Sequence, residues 1–171
     1  SPEIKYHLIR GLHAEDILTT NLGVAPTAAV LAALNAQHDH EIGIMITASH
    51  NPPEDNGIKF FLRHSGKLDA GHEAILTRSF AALADTSLHD DARHNARPAL
   101  MLQPPAPHAY YELLSQVLPS GSLVGLHIAV DCANGASYHL APQIMSFYGA
   151  TVRCIGVEPN GTNINSGCGA L

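Results

Sequence analysis

The sequence has few basic residues and no long apolar run, and each shortage argues against a class of protein. Nine lysines and arginines stand against fifteen aspartates and glutamates, which gives a net charge of −6 without a basic cluster. Nucleic-acid binding depends on such clusters and is not expected. No apolar run reaches the roughly 20 residues of a membrane-spanning helix. The first residues carry no signal-peptide pattern, so we expect a cytoplasmic protein that binds neither nucleic acid nor a membrane.

Cysteine is also scarce. The three cysteines, Cys132, Cys154 and Cys168, are odd in number and show no Cys-x-x-Cys spacing. Reduced thiols are therefore a better interpretation than a disulfide framework. Histidine is plentiful, with twelve residues, but the histidine-containing segment 38–41 has no strict ligand spacing. We interpret that segment as a solvated turn between a helix and a strand.

A serine hydroxyl directly follows one apolar run. The run Ile42–Ile46 is typical of a buried strand in a parallel sheet. Residues 47–52, Thr-Ala-Ser-His-Asn-Pro, come next and are called the serine loop here. Open α/β sheets bind ligands at the carboxyl ends of their strands, so Ser49 is a candidate nucleophile or group carrier. A serine hydrolase is not favoured, because Gly-x-Ser-x-Gly is absent and His50 is too close in sequence to activate Ser49.

A second short strand is predicted beyond the serine loop. The pair Asn56-Gly57 is a strong turn signal. In the run that follows, alternation places Lys59 and Phe61 on one face. If the chain reverses here, Lys59 lies near the base of the serine loop and can approach Ser49. The alternative is a solvated lysine at a sheet edge.

The stretch from Thr47 to Phe61, TASHNPPEDNGIKFF, closely resembles the phosphoserine loop of the α-D-phosphohexomutases. The resemblance implies that Ser49 carries a phosphoryl group. It also implies that His50 and Lys59 act beside Ser49 in acid–base catalysis or in steadying the phosphate, whose charge of roughly −1.5 to −2 needs cations around it. Magnesium is implied as well, bound to Ser49 through its phosphate. The Asp-Gly-Asp-Gly-Asp metal loop of the family is absent from this sequence.

Two further motifs extend the resemblance. VDCANGA at residues 130–136 and EPNGTNINSGCGA at residues 158–170 resemble the opening of the second phosphohexomutase domain, and are most similar to the phosphoglucosamine mutase branch. We interpret most of these residues as scaffold. The branch implies conversion of the substrate glucosamine 6-phosphate to glucosamine 1-phosphate through a hexosamine 1,6-bisphosphate, and leaves open a homodimer of the intact enzyme.

The order of predicted elements indicates an α/β fold with mixed, mainly parallel sheet layers and flanking helices. The predicted helices are 26–37, 71–84, 109–117 and one ending near residue 147. The predicted strands are 16–22, 42–46, 57–62, a short one at 99–102, 126–130 and 151–157. A predicted hinge at Pro119–Ser122 separates a first domain, residues 1–118, without its N-terminal part, from the beginning of a second domain, residues 119–171.

The alternatives to a glucosamine phosphate mutase are a phosphoglucomutase or phosphomannomutase, and a non-catalytic remnant that binds a sugar phosphate or a partner protein through the serine loop. The loops that discriminate between sugars have no counterpart in this sequence. Because the metal loop is also missing, we expect that the chain by itself does not complete a mutase cycle.

Overall fold

The computed structural model describes residues 2–36, 38–84, 101–102 and 106–170. The helices are α1 (Pro2–Ala14), α2 (Thr27–Ala36), α3 (Ala70–Ala84), α4 (Ala106–Ser115) and α5 (Leu140–Phe147). The strands are β1 (Thr20–Asn21), β2 (Ile42–Ile46), β3 (Ile58–Leu62), β4 (Gly66–Lys67), β5 (Met101–Leu102), β6 (His127–Asp131) and β7 (Thr151–Ile155). The predicted α/β fold is confirmed. Among the helices described, none combines the length and apolar character needed to cross a membrane.

The strands pair in both directions. β1 pairs with β5 and β6 with β7 in parallel, whereas β2, β3 and β4 form an antiparallel sheet. The prediction that β2 is a buried strand of a parallel sheet is therefore wrong, and Ile42 is 56% exposed. The cause is local, because the chain turns back between the two strands and the Thr47 backbone N–H donates to the Gly57 carbonyl at 2.8 Å.

Most predicted elements are confirmed within a few residues. The strand predicted for residues 16–22 is shorter, because it pairs with β5 only at Thr20 and Asn21, and the unpredicted helix α1 precedes it. Helix α4 begins at Ala106, earlier than predicted. Of the short strand predicted at 99–102, residues 101–102 form β5. Residues 85–100 and 103–105 lie outside the described part of the chain. The hinge and the domain boundary stay predictions.

Helix α2 packs against the β2–β3–β4 sheet and against helices α4 and α5. It is apolar on most sides, and half of its length is fully buried. On one side Val30 and Leu34 pack against Phe61 of β3. On another side Ala29 packs against Leu140 of α5. Burying a residue such as Phe61 contributes on the order of 1.5–3 kcal/mol, so this packing fixes the β2–β3 hairpin and with it the base of the serine loop.

Candidate active site

The serine loop begins where β2 ends. The hydrogen bond from Thr47 to Gly57 closes its base, and a Cβ on Gly57 would lie only 2.8 Å from the Thr47 carbonyl oxygen. The Thr47 hydroxyl accepts a hydrogen bond from the Ser49 backbone N–H at 3.0 Å. Ser49 has φ +65°, a left-handed conformation that residues other than glycine seldom adopt. Its side chain is exposed, so the hydroxyl can be reached by solutes, and its role as a phosphoryl carrier stays a prediction.

His50 lies directly beside the serine hydroxyl. The distance from His50 Nδ1 to Ser49 Oγ is 3.4 Å, at the long limit for a hydrogen bond. The histidine side chain is exposed. Its backbone carbonyl accepts a hydrogen bond from Asn165 Nδ2 at 3.1 Å. The loop is thus held from a part of the chain 115 residues away.

Lys59 lies in β3, opposite Met45 of β2. Its half-buried side chain shares a strand face with Phe61, which is buried against α2. Between these described residues, no side-chain hydrogen bond or ion pair links Lys59 to Ser49 or His50. The fold therefore brings Lys59 to the strand beside the base of the loop, and its approach to Ser49 stays a prediction.

A cleft of about 520 Å³ opens beside His50. It is lined by His50, Asp131, Ala133, Asn165, Gly169 and Ala170. Apart from His50, the lining comes from Asp131 at the end of β6, from the turn that follows, and from residues 158–170, called the Asn165 loop here. The sequence pattern of this region favours a scaffold role for most of its residues, and it does not mark Asp131 and Asn165 as candidate site residues.

The turn after β6 holds the Asn165 loop in place. Ala133 and Asn134 have φ +54° and +52°, as the two central residues of a type I′ turn do. The Asn134 side chain donates to the Asn163 carbonyl at 3.1 Å and accepts from the Glu158 N–H at 3.0 Å. One amide therefore ties two points of the loop to the end of β6.

The Asp131 carboxylate adds a second connection. Its Oδ1 accepts from the Ala133 N–H at 2.8 Å, and its Oδ2 accepts from the Gly169 N–H at 2.6 Å. The neighbouring Cys132 is buried, and burial raises the pKa of its thiol, with Cys154 and Asp131 adding to the effect. A raised pKa keeps this thiol protonated, which favours a packing role over a nucleophilic one.

Magnesium binding requires several oxygen ligands. A phosphate on Ser49 would supply oxygen, but in residues 2–36, 38–84, 101–102 and 106–170 no group of three or more His, Cys, Asp or Glu side chains could hold a metal ion. The cleft carboxylate of Asp131 already accepts two backbone N–H groups. The residues described therefore do not form a magnesium site on their own.

The chain matches one protein-family model and several curated proteins. Residues 1–86 match the family described as phosphoglucomutase/phosphomannomutase, alpha/beta/alpha domain I. Phosphoglucosamine mutase of Erwinia tasmaniensis is 42% identical over 165 residues, covering 94% of this chain and 35% of that protein. The chain thus spans about a third of the length of this curated relative.

Solved structures show the same fold. A phosphoglucomutase/phosphomannomutase family protein of Burkholderia thailandensis has a TM-score of 0.66 at 24% identity, over 94% of this chain and 34% of that one. N-acetylphosphoglucosamine mutase of Aspergillus fumigatus, solved with glucose 1,6-bisphosphate, has a TM-score of 0.50 at 18% identity, over 96% of this chain and 47% of that one. Since its first 86 residues match the family's first domain, the chain belongs to the phosphoglucomutase/phosphomannomutase family.

Proposed function

We propose that the chain is part of a phosphohexose mutase in which Ser49 carries the transferred phosphoryl group. The observation that carries the proposal is the exposed Ser49 hydroxyl, held at a left-handed φ at the end of β2 and beside His50. Strained backbone of this kind is concentrated at sites that bind or react. The Erwinia relative, a phosphoglucosamine mutase, supports glucosamine 6-phosphate and glucosamine 1-phosphate as the substrate pair.

The transfer proceeds in two halves. In the first, the P–O bond to Ser49 Oγ breaks while a hydroxyl oxygen of the hexose phosphate forms its own P–O bond, which gives hexosamine 1,6-bisphosphate. In the second, the bisphosphate has reoriented. The P–O bond between the sugar and the phosphoryl group that the substrate brought breaks, and a new P–O bond forms to Ser49 Oγ. The isomeric monophosphate leaves, and no phosphate is consumed.

His50 and Lys59 have separate roles in this proposal. The sugar hydroxyl must lose a proton as it attacks, and the departing Ser49 Oγ must gain one. The His50 ring, beside Ser49 Oγ, is the group proposed to exchange these protons. Phosphoryl transfer also spreads negative charge over the phosphoryl oxygens. The Lys59 ammonium, on the strand that closes the loop, would neutralise part of that charge.

A chimeric mutase tests the role of Ser49. Residues 2–170 replace the matching segment of the Erwinia phosphoglucosamine mutase, and the protein is incubated with hexosamine 1,6-bisphosphate carrying labelled phosphate. We expect label on the chimera, none on its Ser49→Ala variant, and undiminished label on Ser65→Ala, which removes another exposed serine hydroxyl. Equal labelling of the Ser49→Ala variant would exclude Ser49 as the carrier.

The same chimera separates the alternative functions. A kcat/KM highest for glucosamine 6-phosphate supports the proposed substrate, whereas a preference for glucose or mannose phosphates assigns the chain to another branch of the family. A chimera without turnover, together with calorimetric binding of hexose phosphates to the 171-residue chain, would favour the binding remnant. Detectable interconversion by the 171-residue chain alone would contradict the expectation that it needs further segments.

A further inference from the structure

The contact between Asn165 and His50 joins the Asn165 loop to the serine loop. Asn165 Nδ2 donates to the His50 backbone carbonyl oxygen at 3.1 Å. A carbonyl oxygen can only accept, so the nitrogen of the amide must face it and the side-chain orientation is fixed by chemistry. No other side chain in the described residues reaches this carbonyl.

Asn165 is itself held rigidly. Its backbone N–H donates to the Ala133 carbonyl at 2.9 Å, and its φ is +60°. On the other side of its amide lies Gly169, whose N–H is bound by Asp131. Hydrogen bonds therefore lead from the turn after β6, through Asn165, to the backbone of His50.

The carbonyl that Asn165 binds controls the geometry of the serine loop. The His50 carbonyl and the Asn51 N–H belong to one rigid peptide plane. That N–H makes a long bond, 3.3 Å, to the Ala48 carbonyl, and closes the turn that contains Ser49. Fixing the carbonyl end of the plane fixes its N–H end as well, so the Asn165 amide supports the left-handed conformation of Ser49.

We infer that Asn165 is a positioning residue for Ser49, through which the Asn165 loop sets the direction of the reactive hydroxyl. This role rests on the proposed function of Ser49. The residue touches neither the hydroxyl nor any reacting atom, and it acts through the peptide plane between His50 and Asn51. The substitution Asn165→Asp keeps the shape of the side chain but replaces the donor by an acceptor.

Nuclear magnetic resonance of the 171-residue chain tests the inference. In Asn165→Asp we expect changed chemical shifts of the His50 carbonyl carbon and of the Ser49 α-carbon, which reports φ. Amide hydrogen exchange at Asn51 should rise roughly twofold to tenfold, the effect of one lost hydrogen bond.

Asn160→Asp is the matched control. It makes the same chemical change in the same loop, and its side-chain oxygen still accepts from the N–H and hydroxyl of Thr162. Equal shifts at Ser49 in both variants would overturn the inference. So would a moved His50 carbonyl resonance with an unmoved Ser49 α-carbon, because Asn165 would then bind the loop without positioning the serine.

A measurement on the unmodified chain covers the case in which Asn165→Asp does not fold. A scalar coupling across the hydrogen bond is expected between Asn165 Nδ2 and the His50 carbonyl carbon, and its absence would overturn the inference. None of these readouts needs phosphoryl transfer. Failure of the labelling experiment at Ser49 would overturn the proposed function and leave the Asn165 contact standing.

Discussion

Gly169 lies against the side-chain amide of Asn165, so closely that a Cβ built on Gly169 would be 2.7 Å from Asn165 Oδ1. The glycine has φ +85°, a backbone conformation that other residues seldom adopt. The Asn165 amide thus has Gly169 against its oxygen, while its nitrogen binds the His50 carbonyl.

Replacing Gly169 by alanine should therefore cost more stability than its conformation alone explains. The Asn165 amide can move aside only by giving up its bond to His50, worth about 1 kcal/mol. Gly167 has φ +65°, and a Cβ added to it would meet no atom within 4 Å, so Gly167→Ala carries the conformational cost without the collision. Denaturant unfolding should show Gly169→Ala to be less stable than Gly167→Ala by about 1 kcal/mol. Equal losses would contradict the tight packing of Asn165.

Ser49 should show the cost of its own conformation. At a left-handed position a side chain is unfavourable by about 1 kcal/mol relative to glycine, so Ser49→Gly should be more stable than Ser49→Ala. The helix α3 residue Ser79, also exposed, supplies the opposite case, because alanine is favoured over glycine inside a helix by about 1 kcal/mol. Thermal unfolding of the four variants checks the reversal. The same preference for alanine at both positions would show that Ser49 is not left-handed in solution.

The sequence predicts the serine loop and its two strands well because these signals are local. The apolar run before Thr47 and the Asn56-Gly57 turn each lie within a few residues of what they determine. The pairing direction of β2 does not follow from its own sequence, because a short apolar run can occur in a parallel or in an antiparallel sheet. The turn at Gly57 is the feature that favours the antiparallel pairing.

The part of the site around Asn165 could not be predicted from local patterns. The residue meets His50 across 115 positions of sequence, and no periodicity reports such a contact. A weaker signal was available in composition, because Ala133-Asn134-Gly135 and the glycines at 167 and 169 are typical of positive-φ backbone. The structure gives Ala133, Asn134 and both of those later glycines positive φ values.

Lys59 should matter for catalysis far more than for folding. In the chimeric mutase, Lys59→Ala is expected to lower kcat by at least about 100-fold, the smaller end of the range for losing one group that stabilises charge in the transition state. Lys67→Ala removes another lysine of the same sheet, one that pairs with Glu73 at 2.9 Å on the surface, and should leave kcat unchanged. Initial rates and circular dichroism of both variants provide the measurement. Unchanged kinetics for Lys59→Ala would assign this lysine to structure or solvation.

Asp69 should make the stability of α3 depend on pH. Its Oδ1 accepts from the His72 backbone N–H at 2.9 Å, just before the helix begins. This bond, with the His72 side chain adding to it, lowers the pKa of the Asp69 carboxyl. A lowered pKa in the folded state gives stabilisation that is complete above the pKa of the unfolded chain and disappears as the pH falls through the folded value.

The substitution Asp69→Ala should therefore lower Tm at pH 7 and have a smaller effect at pH 3. That pH lies below the ordinary carboxyl pKa of 3.8, so part of the stabilisation has been lost. Asp69→Asn keeps a side-chain oxygen that can cap the helix but has no charge to titrate. The Tm difference between Asp69→Asn and Asp69→Ala should vary little between pH 7 and pH 3. The Tm difference between the wild type and Asp69→Ala should be smaller at pH 3 than at pH 7. A wild-type advantage that persists unchanged at pH 3 would show that the cap depends on the oxygen atom and not on its charge.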